Sequence, residues 1–497
     1  MLRSLPSLSR WLIVTGMFIG LGGAFAFVYL SGLQATPFHP DESSQLFMSR
    51  DFDMLFLRRE PAALAWQPDE PLTPDVRLRL LDAPITRYLA GLGWWARGFT
   101  AADLNVDWVW GATWEENQAA IPPADVLWAA RAPTALLGAL TAVLALWWGI
   151  RLGGWPTGLT AALLVGLDPL MLLHTRRAMA ESALTFFSAL AAVGSLALVD
   201  VCDRLDGFRW RAPLGGALVG ALVGLALCSK QTEIVMLPVA LLASGGALRQ
   251  RLWPLRQRLI VLVLLSLGIG VGSGLTFWLL NPVLSQHPVS ALREMLTLRS
   301  ELVASQIQVN GERDPEVVLG SAPARLRAMV QQLYWQPPAV WDAPVYLEHL
   351  QPEAEAYFAE PLHLWLRRPP WPWLLMGLTA LGLGVCVYHA ARDRLSSPPR
   401  AEQVLLLWFG MTLVFLALVI PLNWQRYFLP LLVPSRLLAA LGAGVGLRWI
   451  VGMVVGTSRV QPAPTRGADG MIGGRGNRSP YAGGTLLDVA SITRSYK

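Results

Sequence analysis

Ten runs of apolar residues divide this chain of 497 residues, and most are long enough to cross a lipid bilayer. A helix rises 1.5 Å per residue, so about 20 apolar residues span a hydrocarbon core of about 30 Å. These runs predict an all-α, polytopic integral membrane protein, a helical bundle of about ten and up to 13 transmembrane helices. The runs lie at about 11–33, 128–150, 157–174, 181–200, 213–229, 232–248, 259–280, 371–389, 403–420 and 427–450.

The composition supports this fold class. Hydrophobic residues make up 54% of the chain, charged residues 15%, and the mean hydropathy is +0.43, which is too apolar for a soluble protein of this size. The net charge of +6 does not indicate a nucleic-acid partner, because the arginines lie in short clusters between apolar runs. Cys202, Cys228 and Cys386 have no zinc-site spacing and are interpreted as packing residues.

The arginine clusters also predict the topology. Arg3 and Arg10 precede the first run, which favours a retained anchor with a cytoplasmic N-terminus. Alternating the remaining runs places three short, arginine-rich loops, near 204–211, 249–258 and 392–400, on the cytoplasmic side. Two long loops, about 34–127 and 281–370, then lie outside the cell membrane and are predicted to cover a cavity at its surface.

The chain divides into two predicted parts. Residues 1–457 form one transmembrane domain. Residues 458–497 are rich in Gly, Arg, Ser and Pro and are predicted to be a disordered cytoplasmic tail, with no catalytic role.

With this topology, acids and bases gather at the outer ends of the helices. Carboxylates beside arginines and a lysine suit transfer from a phosphodiester donor: an acid deprotonates an acceptor hydroxyl or holds a divalent cation, and the cations stabilise the leaving phosphate. The candidates are Asp41, Glu42, Asp82, Arg176, Arg177, Glu181, Lys230 and Arg426.

Each candidate also has a structural interpretation. Asp41 and Glu42 could be a solvated pair, and Asp82 could cap the helix that follows it. Arg176 and Arg177 could be interfacial side chains that reach the membrane surface.

Three further residues have local alternatives. Glu181 could be a helix cap neutralised by Arg177 at the i, i+4 spacing, and Lys230 could pair with Glu233 at i, i+3. Asp168, just before a proline, is interpreted as a kink residue.

Six short motifs, taken in order, resemble those of the GT-C membrane glycosyltransferases, specifically the protein O-mannosyltransferases and lipid A aminoarabinose transferases. The resemblance covers roughly 10–250 and 400–445 and leaves the second long loop unmatched. The motifs are Pro40-Asp41-Glu42, Asp82-Ala83-Pro84, Ala130-Arg131-Ala132-Pro133, Arg176-Arg177-Ala178-Met179-Ala180-Glu181, Ser229-Lys230 and Arg426-Tyr427-Phe428-Leu429-Pro430.

The resemblance implies roles for the candidates. Asp41 would be the catalytic base, with Glu42 beside it in the catalytic pair, and Asp82 and Glu181 would contact the acceptor or a metal ion. Asp82 replaces a more usual glutamate or histidine and Glu181 a more usual aspartate, so a divalent metal cofactor stays open. The phosphate-binding residues would be Arg176, Arg177, Lys230 and Arg426.

The function expected from this resemblance is transfer of a hexosyl or pentosyl unit from a polyprenyl-phosphate sugar to an acceptor hydroxyl. The acceptor would be a protein, a glycolipid or a glycan on the extracytoplasmic face, and the anomeric carbon would be inverted. Two alternatives remain: a transporter or flippase for a lipid-linked sugar, whose ionisable residues would line the midplane, and a non-catalytic scaffold of a surface-glycan complex.

Overall fold

A computed structural model of the protein describes residues 7–204, 211–249, 254–342, 346–392 and 401–457. Within these ranges the secondary structure is helical, and the β-pairing consists of a single bridge between Val318 and Leu422. The predicted all-α fold is confirmed. The predicted disordered tail, 458–497, lies outside the described residues.

The helices form a long series with two groups of shorter helices inside it. The first group follows α1, and the second group follows α11. The helices are α1 (Ser7–Ser31), α2 (Pro40–Met48), α3 (Pro74–Leu81), α4 (Ile85–Ala96), α5 (Ala124–Gly153), α6 (Trp155–Gly166), α7 (Pro169–Arg176), α8 (Ala180–Arg204), α9 (Ala212–Leu227), α10 (Met236–Arg249), α11 (Leu255–Leu280), α12 (Pro288–Arg313), α13 (Ala322–Val330), α14 (Leu347–Ala359), α15 (Trp371–Arg392), α16 (Ala401–Val419) and α17 (Leu432–Thr457).

Short helical segments of three to seven residues connect several of these elements. They are Arg50–Phe52, Asp53–Leu57, Pro61–Leu64, Ala101–Asp103, Gln118–Ala120, Gln231–Val235, Pro282–Leu284, Pro315–Val317, Gln331–Trp335, Pro361–His363, Trp365–Arg367 and Gln425–Leu431.

Each of the ten predicted apolar runs coincides with one or two helices. By length and composition, seven described helices can cross a membrane, or eight if one bent pair counts as a span. The runs at 213–229 and 232–248 are short helices of 16 and 14 residues, separated at Ser229 and Lys230. The number of full-length spans is therefore lower than ten, while the multi-pass architecture is confirmed.

The bent pair is α6 and α7, which meet at 54°. Asp168 begins α7 because its side chain accepts a hydrogen bond from the amide of Leu170 at 2.9 Å. Pro169 follows, and its missing amide ends the preceding helix. The kink role predicted for Asp168 is confirmed, and buried Arg367 and Arg436 satisfy its charge at 3.3 and 2.7 Å.

Helices α9 and α11 pack backbone against backbone. A Cβ atom added at Gly220 would overlap the carbonyl oxygen of Ile269, and one at Gly272 would overlap that of Ala217. Small residues at such contacts are how apolar helices associate in a bilayer, where there is no hydrophobic force to drive them together.

Two compact units divide the chain, Met1–Trp449 and Ile450–Lys497. In the second unit the structure describes 450–457, the end of α17. The functional candidates all lie in the first unit.

The two long segments, 34–127 and 281–370, contain several helices, with an irregular stretch at 97–123 in the first. Helix α3 of the first segment packs on α12 of the second through a small core that contains Leu80, Leu81, Met295 and Leu298. This contact forms one wall of a cavity between the two segments.

Candidate active site

A cavity of about 740 Å³ lies between the two long segments and the turns that join the apolar helices. Its wall includes five of the eight predicted site residues: Asp41, Asp82, Glu181, Lys230 and Arg426. These five residues come from distant parts of the chain, and the fold brings them together in one cavity wall. The other three predicted residues, Glu42, Arg176 and Arg177, are not part of this wall.

Asp41 owes its position to the start of α2. His39 caps the helix: its Nδ1 atom accepts a hydrogen bond from the Asp41 amide, and the Glu42 carboxylate accepts one from the His39 amide, both at 3.1 Å. Successive residues of a helix point about 100° apart, so the cap directs Asp41 into the cavity and Glu42 into the protein. The side chain of Asp41 is 30% exposed.

Arg426 joins Asp41 to a second aspartate. It donates a hydrogen bond to the Asp41 carboxylate, and its Nε atom lies 2.9 Å from the carboxylate of Asp342. His39 lies 3.7 Å from the same Asp342 carboxylate through Nε2. Burial alone would raise the pKa of Asp41, but the charges of Arg426 and His39 outweigh it and lower that pKa below its ordinary value.

Asp342 is a site residue that the sequence analysis missed. Its side chain is almost fully buried, and Arg426 and His39 lower its pKa against the opposing effect of burial. A signal was present, because Asp342-Ala343-Pro344 repeats the Asp82-Ala83-Pro84 pattern of the first segment. Asp342 lies in the second long segment, which the family resemblance does not cover.

Lys230 forms the second ion pair of the cavity, with Glu181 at 3.0 Å. Its ammonium group also lies 5.3 Å from the ring centre of Tyr427. This pairing corrects two local alternatives, since Glu181 does not pair with Arg177 and Lys230 does not pair with Glu233. Glu233 is buried and bonded to Ser188 instead.

Asp82 is the third carboxylate of the cavity. It ends α3 as the residue after its last turn, and α4 begins beyond Pro84 without a side-chain cap, so the capping alternative is wrong. Gln45 donates a hydrogen bond to Asp82 at 3.2 Å. Burial raises the pKa of Asp82, while the charges of Arg299 and Arg87 partly oppose it.

Glu42 belongs to a fully buried ion pair beneath the cavity. Both of its oxygens contact the Arg131 guanidinium, at 2.7 and 2.6 Å, and one also accepts a hydrogen bond from the amide of Ala178 at 2.8 Å. Arg131 further binds the carbonyl oxygens of Leu33 and Thr36. A catalytic role for Glu42 does not fit this position, because its lone pairs are already engaged and it does not line the cavity.

Arg176 and Arg177 are buried in the same region. Arg176 donates to the carbonyl of Val28 and contacts His363 at 2.9 Å, and its guanidinium packs directly against Gly32. Arg177 donates to the carbonyls of Pro37 and Val340. A phosphate-binding role does not fit either position. The two arginines tie the long segments to the helices.

The described cavity residues do not fit a metal ion in this arrangement. Among the described residues no group of three or more His, Cys, Asp or Glu side chains is placed to share an ion. Asp41 and Glu181 each pair with a cation, and the two other carboxylates of the wall accept hydrogen bonds, Asp82 from Gln45 and Asp107 from Ser44. We therefore assign no step of the reaction to a metal.

Comparison with known proteins agrees with the motif analysis. Residues 82–279 match the model of a family described as dolichyl-phosphate-mannose-protein mannosyltransferase. The resemblance predicted from the motifs is confirmed. No curated protein matches the chain.

Solved structures of an archaeal enzyme share a general likeness with the chain. The Archaeoglobus fulgidus oligosaccharyltransferase, in complex with Zn and sulfate, has a TM-score of 0.47 and 14% identity over 88% of this chain and 51% of its own. Oligosaccharyltransferase AglB from the same organism, with an inhibitory peptide and a dolichol-phosphate, has a TM-score of 0.45 and 13% identity over 90% of this chain and 52% of its own. The chain thus spans about half the length of these proteins.

Proposed function

We propose that this chain is a glycosyltransferase that moves a hexosyl or pentosyl unit from a polyprenyl-phosphate carrier to an acceptor hydroxyl of a protein, glycolipid or glycan. The observation that carries the proposal is the cavity in which Asp41 and Glu181 lie beside Arg426 and Lys230. The match of residues 82–279 to the mannosyltransferase family supports it. In this proposal the reaction takes place on the extracytoplasmic face, and both termini are cytoplasmic.

Arg426 and Lys230 are the phosphate-binding residues of this proposal. Both are cations that line the cavity, and each now faces a carboxylate that a donor phosphate would partly replace. As the sugar leaves, negative charge grows on the carrier phosphate, and cations fixed beside it lower the barrier. Asp342 keeps Arg426 in place while this exchange occurs, because it binds the Nε side of the guanidinium.

Asp41 is the proposed base. In the free protein Arg426 and His39 lower its pKa, which keeps it ionised but makes it a weak base. When the donor phosphate takes over Arg426, that stabilising charge is shared and the basicity of Asp41 rises. Asp41 then accepts the proton of the acceptor hydroxyl as its oxygen attacks the anomeric carbon and the C–O bond to the phosphate breaks. One displacement with one base inverts the anomeric carbon.

Asp82 and Glu181 contact the acceptor in this proposal. Asp82 lines the cavity, where its carboxylate can accept a hydrogen bond from a sugar or side-chain hydroxyl. Glu181 keeps Lys230 oriented towards the cavity. Tyr427 and Trp424 also line the cavity and provide flat, partly apolar surfaces next to Arg426.

The test is release of free polyprenyl phosphate from a panel of polyprenyl-phosphate sugars, in membranes that contain the protein and a mixed set of hydroxyl acceptors. We expect release with one donor, loss of about 10²–10⁴-fold in Asp41→Asn, and a product of inverted anomeric configuration. Asp69→Asn is the matched control, since Asp69 is an exposed aspartate of the same segment outside the cavity wall. Undiminished release from Asp41→Asn would refute Asp41 as base, and no release from any donor would refute the proposed activity.

A further inference from the structure

The wall formed by α3 and α12 carries cations that the proposed reaction does not use. On α3, residues Pro74, Arg77, Leu78 and Leu81 line the cavity, at the spacing of a single helix face. On α12 the cavity-lining residues include Arg299, Leu302, Gln306, Val309 and Arg313, again on one face. Both helices therefore present arginines into the same space.

These arginines are not neutralised within the described part of the chain. Arg426 and Lys230 form ion pairs with carboxylates, whereas Arg77 and Arg313 have no carboxylate within 4 Å among the described residues. Both are exposed. Of the two carboxylates left in the wall, Asp82 is bonded to Gln45 and Asp107 to Ser44 at 3.1 Å, so neither is paired with these arginines.

Arg77 and Arg313 add to the cations that the proposed donor uses. A sugar phosphodiester carries one negative charge, and Arg426 and Lys230 already provide two cations at the proposed reaction centre. Among the described residues, neither Asp41 nor Asp342, the carboxylates that pair with Arg426, lies within 4 Å of Arg77 or Arg313. The two arginines therefore stand apart from the ion-pair cluster of Arg426.

We propose that the α3–α12 wall binds an acceptor that carries an anionic group remote from the hydroxyl it offers, with Arg77 and Arg313 as the anion-binding residues. The inference rests on the proposed function for the identity of this ligand as acceptor. The packing of α3 on α12 through Leu80, Met295 and Leu298 holds the two arginine-bearing faces at a fixed separation. The binding geometry is therefore built before the acceptor arrives.

The experiment compares an octyl glycoside with the same glycoside carrying a phosphate at the end of its alkyl chain. Equilibrium binding to the full-length, detergent-solubilised protein is measured first, and sugar transfer to each compound second. We expect the phosphate compound to bind about tenfold more tightly. Arg77→Gln and Arg313→Gln should each remove most of that preference. Each should raise the KM for the phosphate compound about tenfold, as expected for loss of one charge-assisted hydrogen bond, and change kcat less than about twofold.

Arg293→Gln is the matched control, since Arg293 is an exposed arginine of α12 that does not line the cavity. Equal binding of the two glycosides, or an equal effect of Arg293→Gln, would overturn the proposal. So would weaker use of the donor in Arg77→Gln and Arg313→Gln with the neutral acceptor, because the arginines would then serve the donor. Arginine-dependent binding without any transfer by the unaltered protein would support the anion site and refute the proposed function.

Discussion

Two neighbouring ion pairs, Asp41 with Arg426 and Glu42 with Arg131, use the same residue types differently. In the cavity, Asp41 and Arg426 face open space, and Asp41 keeps an exposed carboxylate edge. Beneath it, Glu42 and Arg131 are fully buried, and Arg131 also binds backbone carbonyls. Adjacent residues thus differ in what they can bind: the cavity pair can exchange partners with a ligand, and the buried pair cannot without unfolding its surroundings.

The largest effect is expected from a substitution in the buried ion pair of Glu42 and Arg131. Glu42→Gln would leave the Arg131 charge buried without a counterion, which costs about 3–5 kcal/mol of stability. The measurement is the thermal unfolding of the detergent-solubilised protein, followed by its folded yield. We expect severe loss of folded protein.

Asp41→Asn is the natural control for this substitution, because it makes the same carboxyl-to-amide change one residue earlier. Arg426 retains Asp342 in that variant, so the stability loss should stay within about 1 kcal/mol. A stable Glu42→Gln protein that has lost sugar transfer would reverse the comparison and restore the catalytic role first predicted for Glu42.

The next effect concerns the link between the two long segments. Asp342→Asn removes the charge that holds the Nε side of Arg426, so the guanidinium turns fully towards Asp41, and the Asp41 carboxylate competes with the donor phosphate for it. We expect kcat/KM for the donor to fall about 10–100-fold, the size of a small misplacement of a reacting group. Asp342→Glu should restore part of the rate.

A change of similar size in Glu348→Gln, an exposed carboxylate of the same segment, would show that the effect is not specific to Arg426. Wild-type donor use by Asp342→Asn would contradict the positioning role itself. The sensitive readout is the KM for the donor, because a merely structural role would lower the amount of active protein without changing KM.

Much of the fold was predictable, because hydrophobic length dictates where helices can cross a bilayer. The exceptions were local. The run at 157–174 bends where Asp168 caps a new helix, and polar Lys230 separates two helices too short to count as full spans. Both exceptions arise at ionisable residues inside otherwise apolar sequence, where a partner must be found.

The candidate site was predictable in part, and the reason for the limit is geometric. Asp41, Asp82, Glu181, Lys230 and Arg426, which the predicted topology places on one side, line one cavity. Sidedness does not distinguish a residue that faces the cavity from one that faces the protein, since Asp41 and Glu42 differ by one helix position. The partners of Arg176 and Arg177 are mostly backbone carbonyls far away in the sequence, and such contacts leave no residue-type signal.

The smallest effect concerns a buried carboxyl that has no cation in contact. Glu233 is buried, and burial raises its pKa to about 7, against the opposing effects of the Ser188 hydroxyl and the charge of Lys230. Glu42 is equally buried, yet Arg131 lowers its pKa, so the two glutamates form a matched comparison. Because the folded state binds a proton at Glu233 that the unfolded state releases, the contribution of Glu233 to stability falls as pH rises from about 4.5 towards 7.

Thermal unfolding measured across this pH range tests that expectation. The difference between the slopes of the wild type and of Glu233→Gln, which cannot titrate at this position, should approach about 1 kcal/mol per pH unit. Ser188→Ala serves as the second variant, since loss of the hydroxyl that stabilises the charged form should raise the pKa of Glu233 further and extend the slope to higher pH. Equal slopes in the wild type and in Glu233→Gln would assign the titration to other groups, and burial without a cation would then not explain the difference between the two glutamates.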